Sequence, residues 1–76
     1  MKHEVIKRLG AIRAFPDGKT REVCVVRWDD GPPVLDVRFF EGEDMVRIRP
    51  RSTFTRKEAE LLRNILNGFD LGELPE

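Results

Sequence analysis

The chain has 76 residues, 37% of them charged, and its 14 basic and 14 acidic side chains give a formal net charge of zero. That balance excludes a uniformly basic nucleic-acid binder and an acidic solvating tail. Leu, Ile, Val and Phe together number 23, too many for a disordered chain, and a single Cys cannot staple the fold.

The length predicts one small domain, residues 1–76, burying only about 60% of its chain surface, so that a second copy would help it. The longest uncharged run is 64–69, which is too short for a membrane span or a secretory core. The expectation is a cytoplasmic protein, nucleoid-associated if its source is bacterial.

Three clusters punctuate the chain: Pro16-Asp17-Gly18-Lys19, Asp29-Asp30-Gly31-Pro32-Pro33 and Glu41-Gly42-Glu43-Asp44. Pro places a bend and Gly supplies positive φ, so each reads as a turn. The segments between them have hairpin length and are rich in β-branched and aromatic residues. They predict strands near 4–14, 21–28, 34–40 and 44–49, with a kink or bulge at Gly10. Residues 50–54 read as a connector. Thr55-Arg56-Lys57-Glu58 then forms a capping-box pattern, and Ala59, Leu61, Leu62, Ile65, Leu66 and Phe69 follow at helical spacing. Gly68 is placed to end this helix, about 55–67, in the left-handed conformation, and 70–76 reads as a frayed tail. Strands followed by one helix, without alternation, predict an α+β fold: a four-stranded antiparallel sheet and a C-terminal helix.

Side chains alternate along a strand, so each strand divides by parity. Val23, Val25, Leu35, Val37, Phe39, Val46 and Ile48 form a uniformly apolar set, expected to lie under the helix stripe Leu61, Leu62, Ile65 and Leu66. The opposite set mixes rings with cations: Trp28, Arg38, Phe40, Arg47 and Arg49. Rings among arginines are what a sheet needs to hold single-stranded nucleic acid, because bases stack on the rings while guanidiniums follow phosphates. The same residues also suit an ordinary solvated face with a Trp at the core edge.

Charge is sorted along the chain. Residues 1–28 carry net +4, 29–44 net −5, 45–57 net +5 and 58–76 net −4. A basic patch can therefore exist at zero net charge, although neighbouring blocks can also neutralise one another. Ten of the fourteen basic residues are Arg.

Other sites read as bland. His3 and Cys24 are too few for a zinc site, and the sequence implies no cofactor. Cys24 lies mid-strand without a nearby base and reads as a small hydrophobe. Asp29-Asp30-Gly31 stops short of a calcium loop. Glu22 and Asp36 would act as a carboxylate pair only if strand register brought them together; solvation or pairing with Arg is the simpler role. With no phosphate loop and no nucleophile elbow, the reading is a binding protein and not an enzyme.

The run Trp28-Asp29-Asp30-Gly31-Pro32-Pro33-Val34-Leu35-Asp36-Val37-Arg38, followed by Phe40, resembles the second hairpin of the single-stranded-DNA-binding transcriptional coactivators of the positive cofactor four type, above all their small bacterial members. Leu9-Gly10-Ala11-Ile12, Lys19-Thr20-Arg21-Glu22, Thr53-Phe54-Thr55 and the helix to Leu66 extend the likeness over roughly residues 5–67. The resemblance implies a β-β-β-β-α homodimer, joined chiefly through the helix, that binds single strands with little sequence preference across curved sheets. It implies stacking by Trp28 and Phe40, backbone contact by Arg38, and Asp36 orienting Arg38. Arg47 and Arg49 join that set by parity alone. The sequence departs from the family at Pro50-Arg51-Ser52, where Lys-Gly-Ile is common, and at Ala59, where an aromatic is common. The first departure leaves the route of the last strand open; the second bears on helix packing or on the dimer contact.

The expected partners are single-stranded DNA, with RNA as a second ligand, another copy of the chain through Leu62, Leu66 and Phe69, and the transcription or repair machinery. The competing reading is a protein-interaction module on the same fold, suggested by the acidic hairpin and the apolar helix.

Overall fold

The computed structural model describes residues 2–46 and 52–75. Three long strands form a continuous antiparallel meander: β1 (His3–Ala14), β2 (Lys19–Trp28) and β3 (Pro33–Glu41). The far edge of β3 carries two short strands, β4 (Asp44–Val46) beside Phe39–Glu41 and β5 (Ser52–Phe54) beside Leu35–Val37. The expected connector at 50–54 is thus partly strand, because Ser52, Thr53 and Phe54 pair with β3. The sheet curves into a half-barrel and is followed by helix α1 (Arg56–Asn67), so the fold is α+β as expected.

The turns follow the sequence in part. Gly18 and Gly42 take φ of 92° and 62°, conformations that side chains rarely adopt. In the middle turn the positive φ falls on Asp29, at 53°, and not on Gly31. Asp29 is pinned there: its amide donates to the Lys2 carbonyl at 2.8 Å, and its carboxylate accepts from the Lys2 amide at 2.9 Å.

β1 is not a regular strand. Val5, Arg8, Ala11 and Ala14 face Val26, Cys24, Glu22 and Thr20 in turn, so β1 advances three residues for every two of β2. Three bulges result, with Ile6, Leu9 and Ile12 as the extra residues, all three exposed. The bulge expected at Gly10 is therefore one of a series. Each bulge adds local twist and bend, and the bent strand brings Arg8 across to the β3–β4 turn, where it donates to the Gly42 carbonyl at 2.8 Å.

Alternation along β2 and β3 is as read, but the inside of the fold is the opposite face from the one expected. Glu22, Cys24, Val26, Asp36, Arg38 and Phe40 are buried. Val23, Val25, Leu35, Val37, Phe39 and Val46 lie on the outer face and are only half-buried; Ile48 lies outside the described residues. The physical reason is curvature. The bulged β1 curls the sheet over the mixed face, and ion pairs within that face compensate its charges. The apolar core proper is Cys24, Val26 and Phe40, with Val5, Trp28 and Met45 packed against it.

α1 begins as predicted. The Thr55 hydroxyl accepts from the Glu58 amide at 3.3 Å, and the Glu58 carboxylate accepts from the Thr55 amide at 2.9 Å. It ends differently: Gly68 has φ −92°, in the right-handed region, and its amide bonds back to the Asn64 and Ile65 carbonyls. The tail is not all frayed, since Asp70 caps a single 3-10 turn at Leu71–Glu73. The helix does not cover the apolar sheet face. No α1 residue is buried, and Leu35 is the sheet residue that lines the groove beside its stripe.

Candidate nucleic-acid interface

Two ion-pair clusters furnish the inner face. The first centres on Asp36, whose side chain is fully buried. It accepts from Arg38 Nε at 2.8 Å, from Trp28 Nε1 at 3.2 Å and from Thr53 Oγ1 at 3.1 Å. One carboxylate on β3 thus fixes side chains from β2, β3 and β5. Its neighbour Arg38 lies over the Trp28 ring, with its guanidinium carbon 4.7 Å from the centroid. Among the described residues Arg38 Nη2 is buried without a hydrogen-bond partner. His3 also meets the indole, with ring centroids 5.7 Å apart.

The second cluster joins β1 to β2. Arg8 makes a two-pronged pair with Glu22, its Nε lying 2.8 Å from one carboxylate oxygen. The Thr20 hydroxyl donates to the same carboxylate at 2.6 Å. These bonds hold the Glu22 carboxyl below its ordinary range and raise the Arg8 guanidinium. Arg8 also lies over the Phe40 ring, 4.4 Å from its centroid. Between the clusters, burial pushes the Cys24 thiol up to about 11, so it is protonated at neutral pH. Glu22 and Asp36 do share a face, but each is bound to its own arginine.

The structure brings Trp28, Arg38 and Phe40 to one face, as the sequence suggested, but not as an open surface. Phe40 is 0% exposed and Arg38 5%. Phe40 is therefore a core residue beneath Arg8, and no base can reach its ring while Arg8 covers it. Arg38 is held by Asp36 and Trp28 and does not project to follow phosphates. Only Trp28 of the three remains half-buried. Arg47 and Arg49 lie outside the described residues. Leu62 and Leu66 are exposed and line a groove of about 610 Å³ between α1 and Leu35, and Phe69, also exposed, follows α1.

Sequence reasoning missed a third Arg–ring stack. On the outer face, Arg13 lies 4.9 Å over Phe15, which meets Phe39 at 5.6 Å between centroids. Alternation assigns Phe39 to the core, and Phe15 falls between the predicted strand 4–14 and the turn at Pro16. The sequence signal was available: Arg13 and Phe15 flank Ala14 at a strand end.

Among the described residues no group of three or more His, Cys, Asp or Glu side chains is placed to hold a metal ion. No described helix is long and apolar enough to cross a membrane. Comparison with protein-family models and with curated proteins gives no match.

Proposed function

We propose that the protein is a homodimeric module that binds single-stranded nucleic acid, DNA first and RNA second, without catalysis. The observation that carries this reading is the accessible Arg–ring stack of the outer face, Arg13 on Phe15, where the cation is exposed and the ring half-buried. A guanidinium over an accessible ring occupies the place a nucleobase takes when it stacks, and the released guanidinium is suited to a phosphate. The Trp28-to-Phe40 run, with its likeness to single-strand-binding coactivators, supports the same reading and makes a role beside transcription or repair machinery part of it.

The homodimer rests on unpartnered apolar surface. Leu62, Leu66 and Phe69 are exposed beside the α1 groove, and the outer sheet face is half-covered. The same surface favours one rival, a protein-interaction module with no nucleic-acid ligand. Titration of a labelled oligothymidine at several salt concentrations separates the two. Single-strand binding predicts an affinity that falls steeply as salt rises, through counterion release, with quenching of the emission of Trp28, the only Trp. A folded protein that does not bind at low salt refutes the reading. Partners recovered from nuclease-treated extract, and unaffected by Trp28→Ala, then favour the rival.

A further inference from the structure

The outer face of the β1–β2 hairpin carries a feature that sheet energetics alone does not favour. Arg13 and Arg21 are directly opposite each other in the register of β1 and β2. Like charges facing across strands destabilise a sheet. Both side chains are exposed, and neither makes an ion pair among the described residues. Asp17 and Glu41, at the same end of the sheet, are both taken by Lys19, at 3.0 and 3.8 Å. Continuing across the sheet, Arg21 faces Phe39 in the register of β2 and β3. The Phe39 ring meets Phe15, on which the Arg13 guanidinium lies. Arg13, Arg21 and Phe39 thus share one row, with the Phe15 ring packed beside it, and neither cation has an ion-pair partner among the described residues.

From this juxtaposition we propose that the row is a nucleotide seat for a single strand: Arg13 and Arg21 take a backbone phosphate, and the adjoining base stacks on Phe15 and Phe39. The proposal rests on the single-strand reading above and gives it a location that the Trp28-to-Phe40 motif does not. A phosphate relieves the repulsion between the two guanidiniums, and the rings give a base an apolar face. A purely anionic peptide would satisfy the arginines and leave the rings unused. The seat is also separate from the α1 groove. Phe39 lies four residues along β3 from Leu35, about 13 Å at the usual strand rise, and none of Arg13, Phe15, Arg21 and Phe39 lines the groove.

The test is fluorescence anisotropy of a labelled oligothymidine across a salt series, with the wild type, Arg13→Gln, Arg21→Gln and Phe15→Ala. Each Arg variant is expected to weaken binding several-fold and to lower the logarithmic salt slope by about 0.7, the loss of one phosphate contact on a single strand. Phe15→Ala is expected to weaken binding about tenfold with the slope unchanged. The Arg variants carry the test if Phe15→Ala fails to fold, because both side chains are exposed. Arg21→Gln should melt no lower than wild type, since it removes a like-charge pair. A wild type that binds, with Arg variants that match its affinity and slope, overturns the seat and leaves the single-strand reading standing. A wild type that does not bind overturns both.

Discussion

The guanidinium of Arg8 lies 4.4 Å over the ring of Phe40, joining the irregular edge strand to the core. The same side chain pairs with Glu22 and donates to the Gly42 carbonyl. One residue thus covers the core, compensates a buried carboxylate and ties β1 to the far turn.

This pair predicts an acid limb in stability. The folded-state carboxyl of Glu22 is held low, by Arg8 first and Thr20 second. Its contribution is therefore complete above the ordinary carboxylate range, about pH 4.3, and is lost as pH falls through the lowered folded value. Thermal melts of wild type and Glu22→Gln should differ at pH 7 and converge in acid. Asp17, held low by the Lys19 amide and ammonium, titrates in the same direction and remains in both proteins.

Asp36 should matter more than either of its neutral partners, Trp28 and Thr53, taken singly. Asp36→Asn leaves Arg38, 5% exposed, as a charge without its counter-ion. Breaking such a pair costs about 3–5 kcal/mol, which is most of the stability of a domain this size. Trp28→Phe removes only one neutral donor and should cost about 1 kcal/mol. Urea titrations of the two variants check this ordering.

The α1 surface predicts self-association. Leu66→Asp places a charge in the groove lined by Leu35, Ala59 and Leu62. Sedimentation velocity should give a dimer for the wild type and a monomer for the variant. The helix itself should persist by circular dichroism, because Leu66 is exposed in the single chain.

Much of the local structure was legible in the sequence. The Thr55–Glu58 capping box, the turn glycines at 18 and 42 and the alternation along β2 and β3 follow from short-range chemistry. Which face becomes the inside was not legible. Hydrophobicity favours Val23, Val25, Leu35 and Val37. The inner face instead depends on pairs distant in sequence, Arg8 with Glu22 and Asp36 with Trp28 and Thr53, which offset the burial of its charges. The three-residue repeat of β1 is invisible to a two-residue template, yet Ile6, Leu9 and Ile12 display it once the period is changed. The zero net charge concealed most about the site, because the outer row of Arg13 and Arg21 is set by strand register.

The most direct test of the central claim is a competition experiment with a labelled oligothymidine bound to the protein. Unlabelled single strand should displace it at stoichiometric excess, while a duplex of equal length should displace it only weakly, because its stacked bases cannot reach the rings. Equal displacement by duplex and single strand would contradict the account, since binding would then depend on charge alone.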